Sequence, residues 1–165
     1  MKFTMTPPRL RDGLVGGAIN GLINGAIAWS AFKGMPQVPL SVDSISAPGI
    51  TALGNAATVV FSLTFILTTI TFFSYRSSAR KSGVAPKGLT EQAYWPQGLG
   101  IALRNTLMGF GAFIAMAVLW QRFAGTLVVG PLTATVVVAL VAMGATMFAE
   151  WRTRTEMLQS AAVAD

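Results

Sequence analysis

The sequence predicts an all-α, polytopic membrane protein whose four transmembrane helices form one bundle, and three observations carry that expectation. The apolar residues fall into four blocks of about 20, the length that crosses a hydrocarbon core of ~30 Å at 1.5 Å per residue. The charges collect at the ends of those blocks and avoid their middles. Aromatic residues mark the same ends: Trp29 and Phe32, Tyr75, Trp120 and Phe123, and Trp151, as interfacial belts would. The 165-residue chain is 53% hydrophobic and 11% charged, with a mean hydropathy of +0.59, whereas an average soluble domain is roughly 25% charged.

The spans run over about residues 13–32, 48–75, 99–120 and 127–149, and use residues 1–165 as a single domain. The first begins at Gly13 and ends at Phe32. The second follows a Pro-containing outer loop; Ser46 and Pro48 have the look of a helix start, which would make this helix long enough to tilt or project. The third, from Leu99, carries Arg104 near one end, where a long side chain can snorkel to headgroups. The fourth starts at Leu127, with Pro131 tolerated early in the helix. Residues 76–98, basic and holding Gly and Pro, read as a flexible connector.

Lys and Arg set the orientation, because cytoplasmic segments carry the excess. Lys2, Arg9 and Arg11 precede the first span; Arg76, Arg80, Lys81 and Lys87 lie between the second and third; Arg152 and Arg154 follow the fourth. The opposite side has Lys33 and Arg122. The expectation is a multi-pass protein of the cell membrane with both termini cytoplasmic. The stretch from Lys2 to Ala28 has the outline of a signal peptide, but Asn and Gly interrupt its would-be apolar core, so it reads as the first span.

A WxxFxG pattern, Trp29-Ser-Ala-Phe32-Lys-Gly34, recurs as Trp120-Gln-Arg-Phe123-Ala-Gly125, and Tyr75-Arg76-Ser77 rhymes with Trp151-Arg152-Thr153. Two parallel helical-hairpin repeats would produce this, and so would belts and charge bias acting on any pair of hairpins.

Inside the membrane, Gly13, Gly17, Gly21 and Gly25 form a helix-packing ridge. Asn20 and Asn24 lie beside it and need partners, since an unsatisfied amide in hydrocarbon costs several kcal/mol. The second span offers Asn55, Thr58 and Ser62, on a face shared with Thr51 and Thr69, so Asn20, Asn24, Asn55, Thr58 and Ser62 make a candidate polar path. Interhelical hydrogen bonds would account for it, as would a cavity lining; Ser and Thr also bond back to their own helix. The seams Ala102, Asn105, Gly109, Ala112 in the third span and Gly130, Ala134, Val138, Val141, Ala145 in the fourth read as packing surfaces. Arg104 and Glu150 could pair across them.

Several function classes are excluded or disfavoured. There is no cysteine and no histidine, which removes thiol chemistry, the usual zinc and haem ligands and the imidazole shuttle; no metal and no cofactor is expected. The net charge of +6 is distributed as a topology signal, so nucleic acid is not an expected partner. No phosphate loop or nucleophile–base pair can be assembled, and the expectation is not an enzyme. The leading functional reading is a structural or accessory subunit of a homo-oligomer or larger membrane complex, its glycine ridge packing against a copy or a membrane partner. The alternative is a small channel or facilitator for an ion or neutral solute. A third use, for Arg76, Arg80, Lys81 and Lys87, is an anionic-lipid surface among the membrane lipids.

Overall fold

The computed structural model describes residues 10–42, 49–81, 94–125 and 127–162. It contains four helices, α1 (Leu10–Phe32), α2 (Ala52–Lys81), α3 (Tyr94–Ala124) and α4 (Pro131–Ala162), each long and apolar enough to cross a membrane. Two short strands, β1 (Val38–Leu40) and β2 (Leu127–Val129), follow α1 and α3.

Local chemistry explains where the helices start and stop. The hydroxyl of Thr51 accepts the backbone N–H of Gly54 at 3.2 Å, which makes Thr51 the N-cap of α2. The expected start near Pro48 is corrected: Pro48 itself lies outside the described residues, but residues 49–51 are not helical and α2 begins at Ala52. Gly130 accepts the N–H of Ala134 and Pro131 is the first helical residue of α4, where proline loses nothing because that N–H has no intrahelical acceptor. Gly125, at φ 71°, ends α3 and donates to Gln121 O at 3.0 Å, a left-handed cap suited to glycine.

Two expectations about the connections change. Leu127 does not begin the fourth helix: Leu127–Val129 pairs antiparallel with Val38–Leu40, Val38 opposite Val129 and Leu40 opposite Leu127. A three-residue strand that satisfies its backbone against a distant loop has no local periodicity to reveal it. The basic segment after the second span is not wholly a connector either, because α2 continues to Lys81 and α3 begins at Tyr94. Charged residues past the hydrocarbon boundary favour helix as well as loop, and apolar run length measures only the lipid-crossing part.

α1 packs on α4, α4 on α2, and α2 on α3, while α3 touches α4 more lightly. The two ends of the bundle differ. At the sheet end, Phe32 and Val38 are fully buried, and Gln121 Oε1 accepts from Ser41 Oγ at 3.4 Å and from the Val42 amide at 3.3 Å. At the basic end, where α1 begins and α4 ends, Arg154 reaches Asp12 at 3.7 Å and Arg104 pairs with Glu156.

The packing order is what two exchanged hairpins would give. The 91-residue offset that carries Trp29 to Trp120 also carries Val38 to Val129, and those two valines are opposite each other in the sheet. A two-fold through that pair would map α1 on α4 to α3 on α2, but the helices do not obey it: Phe32 is fully buried and its counterpart Phe123 exposed, and Asn105 is fully buried where its counterpart Leu14 is exposed.

Burial runs opposite to that of a water-soluble fold. Beside a few large apolar side chains such as Phe32, Phe72 and Val138, the core is rich in small and polar residues: Ala52, Ala56, Ala102, Ala134, Ala142, Ala149, and the threonines Thr64, Thr68, Thr106, Thr146 and Thr153. The outside carries Leu22, Ile27, Ile66, Leu107, Met116, Leu132 and Leu140. Only 22% to 33% of each span's apolar window is buried. In water such a surface would be a large aggregation-prone patch; in lipid it is the solvent-compatible face, with small residues letting backbones approach.

Candidate functional site: a buried polar seam

The glycine ridge meets α4. A Cβ on Gly21 would lie 2.9 Å from the Ala139 carbonyl oxygen, on Gly17 3.0 Å from Met143 Cγ and 3.1 Å from its carbonyl oxygen, and on Gly25 3.1 Å from Ala139 Cβ. Gly13 is looser, with Met147 Cγ at 3.9 Å. Gly17, Gly21 and Gly25 are buried. The surface offered by the ridge is therefore covered within the chain.

The five residues of the expected polar path do not converge. Asn20 Nδ2 donates to Gly16 O at 3.3 Å and Asn24 Nδ2 to Asn20 O at 2.9 Å. On α2, Thr58 Oγ1 donates to Gly54 O and Ser62 Oγ to Thr58 O at 2.8 Å, and both residues are exposed. Asn55 is half-buried on α2. Hydrogen bonding between the first and second spans is replaced by back-bonding along each helix, because α1 lies against α4 and not α2. The i−4 carbonyl is always within reach of such side chains and needs no neighbour.

The expected Arg104–Glu150 pair is also corrected. Arg104 pairs with Glu156, whose other carboxylate oxygen lies 2.9 Å from Arg152 Nε. Glu150 points instead to α1, its Oε1 2.9 Å from where a Cβ on Gly16 would stand. Because α4 continues through Ala162, the acidic partner level with Arg104 is nearly two turns beyond Glu150.

Of the proposed lipid-binding residues, Lys81 is exposed at the end of α2, while Arg76 is half-buried with one guanidinium nitrogen inside the bundle. The side chain of Arg80 and all of Lys87 lie outside the described residues.

The buried polarity sits elsewhere, along the seam of α2 and α3 with α4 beside it. Thr64, Thr68, Asn105 and Thr106 are each 0% exposed. The hydroxyls of the three threonines and both amide atoms of Asn105 have no hydrogen-bond partner. Thr64 faces α3 closely enough that a Cβ on Gly109 would lie 3.6 Å from its Oγ1, and Phe148 of α4 closes on Gly109 at 3.0 Å. The two helices are antiparallel, so one turn toward the basic end from this contact are Thr68 on α2 and Asn105 on α3, at matching depth. Thr146 and Thr153 on α4 are buried too, but bond back to Ala142 O and Ala149 O.

The apolar frame holds this seam tightly on both sides. Toward the sheet end, Phe61 and Phe110 meet edge to face at 5.7 Å. Toward the basic end, Gly98 admits the Phe72 ring, which a Cβ would meet at 2.8 Å. Beyond Asn105 come the charges of Arg104, Arg152 and Glu156.

The sequence pattern puts Asn105 in a packing seam, and the polar face of the second span on Thr58 and Ser62. Thr64 is two residues from Ser62 and so about 200° around the helix, on the opposite face. A helix whose threonines are spread around its circumference does not say which of them faces protein; packing does. Compared with protein-family models, with characterised proteins and with solved structures, the chain matches none.

Proposed function

We propose that this protein is a small membrane facilitator for an uncharged polar solute, built into the cell membrane with its basic end, and so both termini, in the cytoplasm. The observation that carries the reading is Asn105, a fully buried amide whose donor and acceptor atoms both lack partners, beside three unpartnered hydroxyls. Leaving such groups buried costs on the order of 1–3 kcal/mol each. Residues serving only as interhelical glue would bond across the seam. Groups that bond neither to their own helix nor to a neighbour are arranged to receive something else: water, or a solute that replaces it.

The lining defines the class of solute. Amide and hydroxyl groups both donate and accept, and the seam itself holds no charge, so a small neutral molecule with its own hydrogen-bonding groups is accommodated without a counter-ion. The orientation follows from the excess of Lys and Arg at the basic end. The subunit reading loses its main support, because the glycine ridge that suggested an external partner is covered by α4. No reaction is assigned to the site.

The test is solute entry into vesicles. Liposomes containing the purified protein, challenged osmotically with urea, glycerol and formamide in turn, should re-swell faster than protein-free liposomes for at least one of them. Asn105→Leu should return that rate to the protein-free value. Equal rates for all solutes, or an Asn105→Leu protein that conducts as well as the unaltered one, would count against the proposal.

A further inference from the structure

We infer that the Arg104–Glu156 ion pair is a latch over this polar seam, and that the basic-side opening of the seam, one of the two a facilitator needs, is made by α3 parting from α4 about a pivot near the sheet end. The purpose of the latch rests on the facilitator reading; its geometry does not.

The four sides of the site are unequal. α3 lies along α2 through Gly98 on Phe72, Thr64 beside Gly109 and Phe61 on Phe110. Its contact with α4 is much slighter, and consists near the site of Phe148 on Gly109 and the Arg104–Glu156 pair. At the sheet end the connections of both hairpins are joined by β1 and β2, and Gln121 near the end of α3 holds Ser41 and Val42. Parting the helices there would break the strand pairing, whereas parting them at the basic end breaks an ion pair. A pivot near the sheet end follows from that difference.

Arg104 directly precedes Asn105, so a movement that takes the guanidinium off Glu156 carries the amide with it. The charges are arranged to keep this step cheap. The side chain of Arg104 is 56% exposed, and on release it turns to water or headgroups. Glu156 is only 11% exposed, but Arg152 on its own helix stays within 2.9 Å. Opening therefore strands no buried carboxylate, the usual penalty for breaking such a pair.

The chain has no cysteine, so a single introduced thiol reports access cleanly. In vesicles holding the full-length protein, Thr68→Cys is to be labelled with a membrane-impermeant maleimide applied to each side separately. Slow labelling from the basic side is expected, faster by about threefold when Glu156→Gln is added, with the rate from the sheet side unchanged by that substitution. Arg152→Gln, which leaves the α3–α4 pair in place but removes the cation that holds Glu156 once the pair opens, should slow labelling and so separates unlatching from loosening of α4. A rate indifferent to Glu156→Gln, an equal response to Arg152→Gln, or an equal acceleration from the sheet side would overturn the latch. The solute-entry assay above judges the facilitator reading separately. Flux with no labelling response sinks the latch alone, and a labelling response without flux leaves the latch standing as a property of the bundle.

Discussion

Glycine and asparagine residues show how differently two small features in one membrane bundle can behave. The ridge Gly17–Gly21–Gly25 works by absence: at Gly21 the Ala139 carbonyl occupies the place a Cβ would need, and a backbone oxygen cannot swing aside. Gly21→Ala should therefore destabilise the folded protein by roughly 1–3 kcal/mol, whereas Gly13→Ala, whose Cβ would have ordinary contact with Met147, should be nearly neutral. Denaturant unfolding in one detergent resolves the contrast, and equal effects at both positions would contradict the α1–α4 packing. At Asn105 the expected sign is reversed. Replacing an amide with two unpartnered atoms by Leu removes its desolvation penalty, so Asn105→Leu should keep or raise stability even as it removes flux. The spacing of the ridge was legible from sequence because a four-residue period defines a face. The polar partners were not, because every Asn, Ser and Thr on a helix has a carbonyl one turn back that can satisfy it, and Asn20 and Asn24 take that option.

Among the elements, the helices were legible wherever lipid dictates their composition and illegible beyond it. Apolar run length located all four spans, but α2 and α4 continue to Lys81 and Ala162 through residues that the bilayer does not select. The cap of α2 is a hydroxyl at Thr51, and Thr51→Ala should cost about 1 kcal/mol of stability. The strands had no signal at all: Val38-Pro-Leu and Leu127-Val-Val become a sheet only because the fold brings them together. Gln121, which accepts from Ser41 and Val42 just after β1, fixes the sheet end. Gln121→Leu should speed amide exchange in 38–40 and 127–129 by about tenfold without altering the apolar contacts of the spans. No change in exchange there would show that the strand pair alone holds this end shut.

For the whole molecule, the contacts of α4 with α1 and α2, and of α2 with α3 and α4, put α2 and α4 at the centre and α1 and α3 outside. The α2–α3 seam is polar, whereas the α1–α4 contact is filled by the glycine ridge. One half of the bundle is a close-packed support and the other holds the site. The common side of the termini is checked with two single cysteines, Gln37→Cys at the sheet end and Gln159→Cys at the basic end, both at exposed positions. An impermeant reagent applied to intact cells should label the first and spare the second; the opposite pattern would invert the proposed orientation.

On the facilitator proposal, the working polarity lies between α2 and α3, not beside the ridge on α1. Solute entry measured side by side for Asn105→Leu and Asn24→Leu in the same liposomes tests it most directly. Entry should fall to the protein-free rate for Asn105→Leu and stay within about twofold of the unaltered protein for Asn24→Leu, whose amide only bonds back to its own helix. Loss of flux in Asn24→Leu with flux retained in Asn105→Leu would contradict the account.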